Sequence, residues 1–134
     1  MIAAPSPSKP HTERVVYMIL AVLDDLMFTS KIRAAAAKLG VALAFARSSE
    51  AALAEMRKRA PSLVILDLNG RRTDPIGTVV AMKNDAALAS IQTMGFVSHV
   101  DTAVINAARG AGVDAVMARS AFAERLGEIL SGHR

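Results

Sequence analysis

Short stretches with no charged residue recur along this chain, each followed by a segment whose apolar residues return every three to four positions. That alternation constrains the fold more than any other feature. A strand reading Val15 to Leu23, or Leu63 to Leu66, is apolar on both side-chain rows and has to be covered on both faces. The intervening segments supply the cover. Phe28, Ile32, Ala35 and Leu39 recur at helical spacing, with Lys31 and Lys38 left for solvent and Gly40 as the stop. After a second strand, Val41 to Ala46, Ser48 or Ser49 can cap a helix that turns Leu53 and Met56 inward and ends before Pro61. Asp74-Pro75 is a cap and first-turn pair for a third helix, in which Ile76, Val79, Val80 and Met82 are apolar. Thr93 to Val97 is a fourth strand, and Asp101 can cap a helix through Ala108 that Gly110 and Gly112 bring to an end. Val113 to Met117 is a fifth strand, and Ser120 can cap a last helix carrying Phe122, Leu126, Ile129 and Leu130.

About five strands alternating with about five helices place the chain in the α/β class. The expected architecture is a doubly wound, five-stranded parallel sheet with right-handed crossovers and helices on both faces. The 134 residues suit a single domain over 15–134, preceded by a flexible N-terminal segment, 1–14, rich in Pro, Ser and Ala. A hydrophobic content of 52% and a mean hydropathy of +0.33 exclude a disordered chain. No apolar run reaches the roughly 18 residues needed to span a bilayer. Pro5, Ser6, Pro7, Ser8, Lys9 and Pro10 interrupt any signal-peptide pattern, and no Cys is present for disulfides or thiolate metal sites. These features point to a soluble cytoplasmic protein with no membrane association. The net charge of +4 and a pI of about 10.0 permit attraction to nucleic acid. The basic residues are spread along the chain, however, and one Tyr without Trp offers little for base stacking, which favours a solvated basic surface.

The chemistry gathers where strands end. Ligands of open α/β sheets bind beyond the carboxyl ends of the strands, at the point where strand order reverses. Asp24 and Asp25 follow the first strand and Asp67 follows the third. In the flavodoxin-like order 2-1-3-4-5 these strands are neighbours, so three carboxylates would share one rim. Like charges that close ionise together at little cost only when a cation joins them, and an all-oxygen set of this kind suits Mg²⁺. Taken singly, Asp24-Asp25 is also a helix cap and Asp67 a turn initiator.

Between about Val16 and Leu130 the sequence resembles the receiver domain of bacterial two-component response regulators. The resemblance is carried by Leu23-Asp24-Asp25, by Leu66-Asp67, and by the spacing from Asp67 through Asn69 to Asp74. It implies a phosphorelay protein in which Asp67 is the phosphoacceptor, with Mg²⁺ held by Asp24, Asp25, Asp67 and the backbone carbonyl of Asn69. It also implies that Ser98 donates to a phosphoryl oxygen, and that Arg119 stands where the family carries a phosphate-gripping Lys. Such a protein is no enzyme beyond accepting its own phosphoryl group. The implied partners are a sensor histidine kinase or phosphotransfer protein and an unknown downstream protein. With no residues after Arg134, the resemblance implies a stand-alone receiver, and its fourth and fifth helices could pair two copies as a homodimer.

The sequence departs from the family pattern at several places. Arg119 replaces the Lys and can either bind phosphate or point outward, because a guanidinium fork is larger and differently oriented. Ser120 replaces the Pro that usually follows. Val116 stands where many receivers carry an aromatic residue that turns inward on activation. His99 follows Ser98 where a small residue is usual, and Arg71, Arg72 and Pro75 alter the loop after Asp67. These departures sustain a second reading, a pseudo-receiver that binds proteins without phosphorylation. A third reading, a doubly wound enzyme or nucleotide binder, lacks a glycine-rich loop after the first strand and any paired metal-ligand spacing among His11, His99 and His133.

Overall fold

The computed structural model describes residues 18–99 and 101–132. The N-terminal segment 1–14, the start of the first strand at Val15 to Tyr17, and His11 and His133 lie outside the described residues. Five parallel strands form one sheet in the order β2-β1-β3-β4-β5. They are β1 (Met18–Val22), β2 (Ala42–Ala46), β3 (Leu63–Asp67), β4 (Gln92–Val97) and β5 (Ala115–Ala118). The helices are α1 (Leu26–Leu39), α2 (Ser49–Lys58), α3 (Pro75–Lys83), α4 (Thr102–Ala111), α5 (Arg119–Glu124) and α6 (Leu126–Leu130). The doubly wound parallel sheet expected from the alternation is therefore present, with its switch point between β1 and β3.

Two cores follow from the pleat. Leu20 and Val22 of β1 join Val64 and Leu66 of β3 under α2, α3 and α4. Ile19, Ala21 and Leu23 join Ile65 and Phe96 under α1, α5 and α6. Period-two alternation thus divides one apolar run between two faces. Complete burial of each Leu or Ile contributes about 1.5–3 kcal/mol, which is why these strands tolerate no polar residue in mid-run.

Local chemistry ends the elements largely as the sequence suggests. Asp25, Ser48, Asp74 and Asp101 cap α1 to α4, each accepting a backbone N–H three residues on. Asp74 does so from the left-handed region, at φ 44°, which Asp tolerates better than most residues. Gly40 and Gly112 close α1 and α4 in left-handed conformations.

Several details differ from expectation. The last helix is split at Arg125, and it starts at Arg119 without a side-chain cap, so Ser120 lies inside its first turn. The chain passes from β5 into α5 directly, leaving no linker residue to serve as a cap. β5 begins at Ala115 rather than Val113, because Val113 N–H still bonds Ala108 O of α4 and Asp114 is tied to Thr93. In α1 the inward face is Phe28, Ile32 and Ala36, leaving Leu39 45% exposed, and in α3 Val80 is 44% exposed. Val80 lies one residue off the buried stripe, whereas Leu39 is on the stripe but is the last residue of α1.

Candidate functional site at the carboxyl edge

β1 and β3 pair with Val22 opposite Leu66, so the residues that follow them emerge at the same edge of the sheet. Asp67 is the last residue of β3 and is only 6% exposed. Its Oδ1 accepts the Asn69 N–H at 3.0 Å, closing the turn into the next loop. Leu68 secures that turn. Its N–H bonds Phe96 O at 2.9 Å, and its side chain lies over Gly95, where a Cβ would stand 2.6 Å from Leu68 Cδ1. Asn69 Oδ1 in turn accepts the Ser98 N–H at 2.6 Å, binding the loop after β3 to the end of β4.

Asp25 plays two parts. Its Oδ1 accepts Phe28 N–H at 3.0 Å as the α1 cap, while its Oδ2 takes Arg119 Nη2 at 2.8 Å. Arg119, the first residue of α5, points inward. Its guanidinium carbon sits 4.1 Å from the centre of the Phe28 ring, and Nη1 lies 3.4 Å from Ser98 Oγ. Phe28 rests on Phe96, which stacks on Phe122, so an aromatic trio forms the floor beneath the guanidinium. Sequence reasoning treated Phe28 only as a core residue. Its position three residues after Asp25, in the first turn of α1, was the available signal.

The electrostatics of the two acids diverge. Burial pushes the Asp67 carboxyl above its ordinary value, against the Asn69 hydrogen bond and the positive charge of Arg119, while Asp24 and Asp25 push it further up. Asp25 is held below its ordinary value, first by the Phe28 N–H and then by Arg119. Asp24, half-buried, completes the acidic rim.

Asp24, Asp25, Asp67, Asn69, Ser98 and Arg119 are thus all brought to one edge. Among the described residues no group of three or more acidic or histidine side chains is placed to hold a metal ion. Both Asp25 oxygens are engaged, one by the helix cap and one by Arg119. The donor set still has the chemistry of a divalent-cation site, carboxylates plus a backbone carbonyl, once Arg119 withdraws from Asp25. Arg71, Arg72 and His99 are exposed. Val116 packs on the α2–α4 side of the sheet, away from the aromatic trio.

Neither a protein-family model nor a curated protein matches the sequence. Solved structures do match. The phosphorylated cyanobacterial phytochrome response regulator RcpA superposes with a TM-score of 0.73 at 23% identity, over 88% of this chain and 91% of that one. The chain has the receiver fold. The chemotaxis response regulator CheY4 of Vibrio cholerae matches with a TM-score of 0.76 at 16% identity, over 90% and 100% of the two chains. A response regulator in its Mn(2+)-bound form matches with a TM-score of 0.68 at 20% identity, over 87% and 90%. Asp24, Asp25, Asp67, Ser98 and Arg119 lie at the carboxyl ends of β1, β3, β4 and β5. No helix among the described residues is long and apolar enough to cross a membrane.

Proposed function

We propose that this protein is a phosphorelay receiver that accepts a phosphoryl group on Asp67 from a histidine kinase or phosphotransfer protein and signals through protein contacts. The observation that carries the reading is the buried carboxylate at the switch point, with a guanidinium at the same sheet edge that donates to Asp25 and to Ser98 Oγ. In the transfer, an Asp67 oxygen bonds to phosphorus as the donor's phosphorus–nitrogen bond breaks, and the imidazole leaves with the electron pair. A divalent cation held by Asp24, Asp25, Asp67 and the Asn69 carbonyl would offset the charge on the phosphoryl group. Arg119 has donors beyond the one on Asp25, and these and the Ser98 hydroxyl are the groups of this chain suited to phosphoryl oxygens. Incubation with a small phosphodonor and Mg²⁺ should add the mass of one phosphoryl group. No gain, or a gain that survives Asp67→Asn, contradicts the reading.

A second reading is favoured by one observation, the Arg119–Asp25 ion pair in the acidic pocket. In a pseudo-receiver that pair would be permanent, and partner binding would ignore the state of Asp67. Beryllofluoride with Mg²⁺ would then leave the amide spectrum and partner affinity unchanged. A Mg²⁺-dependent change removes this alternative.

A further inference from the structure

α1 packs along α6, and the aromatic trio fills the space beneath the start of α5. Above that floor a cleft of about 620 Å³ opens between the first turns of α1 and α5. Its size falls within the range of small-molecule sites. Met27, Phe28 and Ala123 give it apolar walls, Ser98 gives a hydroxyl, and Lys31 and Arg119 place cations on facing sides. No carboxylate lines it. Met27 is 85% exposed, far beyond what a thioether of the core would show, so the cleft has an apolar mouth as well as an apolar floor.

The two cations differ in what they have left to give. Arg119 is already paired with the Asp25 carboxylate, whereas Lys31 makes no ion pair among the described residues. The lining therefore carries about one uncompensated positive charge over an apolar surface. We infer that this cleft binds a small organic monoanion, a carboxylate with an aromatic or aliphatic body, with the carboxylate between Lys31 and Arg119 and the body against Met27, Phe28 and Ala123. Charge complementarity selects the head and the walls select the tail. Because Arg119 would serve both the ligand and Asp25, occupancy of the cleft and the Arg119–Asp25 pair are linked, and the link runs both ways.

Hydrocinnamate is a suitable probe, with hydrocinnamyl alcohol as its uncharged match. Titrated into isotopically labelled protein, hydrocinnamate should give saturable amide shifts confined to the cleft, at the starts of α1 and α5 and the end of β4. The alcohol should bind about fivefold or more weakly, the loss expected of a part-exposed ion pair, and Lys31→Gln should abolish that difference. Ala123→Phe, which fills the cleft, should remove binding while the remaining amide spectrum reports an intact fold. Asp67→Asn should bind hydrocinnamate as the parent protein does, which separates this inference from phosphoryl transfer. Absence of saturable shifts, shifts elsewhere, or equal affinity for the alcohol would overturn it.

Discussion

Arg119 grips Asp25 from across the sheet edge, with Nη2 2.8 Å from Oδ2, while the other oxygen of the same carboxylate caps α1 through Phe28 N–H at 3.0 Å. One side chain thus joins a local helix-starting role to a contact spanning most of the sequence. The two roles separate by substitution. Asn caps a helix nearly as well as Asp but carries no charge. Asp25→Asn should therefore change stability little, since part-exposed ion pairs contribute about 0–1 kcal/mol, and Asp25→Ala should cost about 1 kcal/mol more. Urea titration of both variants checks this. Equal losses would show that the ion pair, not the cap, carries the contribution.

Asp67 links stability to pH in the opposite sense from a paired surface acid. Its folded carboxyl is raised above 3.8, chiefly by burial, so the folded state holds the proton more tightly than the unfolded chain. Its contribution is complete below 3.8 and is lost as pH rises through the raised value. Asp67→Asn keeps an oxygen for Asn69 N–H and removes the charge. The variant should equal the parent protein in strong acid and become the more stable of the two as pH rises to neutrality. A denaturation series across that range reads the difference, and a parent protein favoured at neutral pH would contradict it.

Thr73 is fully buried in the loop after Asp67, and its Oγ1 has no hydrogen-bond partner among the described residues. An unsatisfied buried hydroxyl costs free energy that an isosteric methyl does not. Thr73→Val should raise stability by about 1 kcal/mol. A comparable loss would mean that a bound water satisfies the hydroxyl. The same loop explains why Gly70 and Gly95 carry no side chain. A Cβ on Gly70 would meet Thr73 Oγ1 at 2.6 Å, and one on Gly95 would meet the buried Leu68 side chain.

What could be read from the sequence follows the range over which each choice is decided. The strands, their burial on two faces and the caps at Asp25, Ser48, Asp74 and Asp101 are settled within a few residues, and period and cap chemistry expose them. The shared edge of Asp24, Asp25 and Asp67 follows once the strand order is known. The target of Arg119 did not follow. A long guanidinium side chain chooses between solvent and Asp25 by tertiary distance and by the ring of Phe28 beneath it, and no sequence period encodes either. For the same reason the Ser120 cap was misplaced: the join of β5 to α5 depends on how close the strand end lies to the helix start.

Reduction of the phosphodonor-treated protein with borohydride, followed by peptide mass mapping, tests the central claim most directly, because an aspartyl phosphate is converted to homoserine at the residue that carried it. Homoserine at position 67 alone is the expected result, with none at Asp24 or Asp25 and none when Mg²⁺ is withheld. Homoserine at another acid, or unmodified Asp67 under conditions that label a functional receiver treated in parallel, would contradict it.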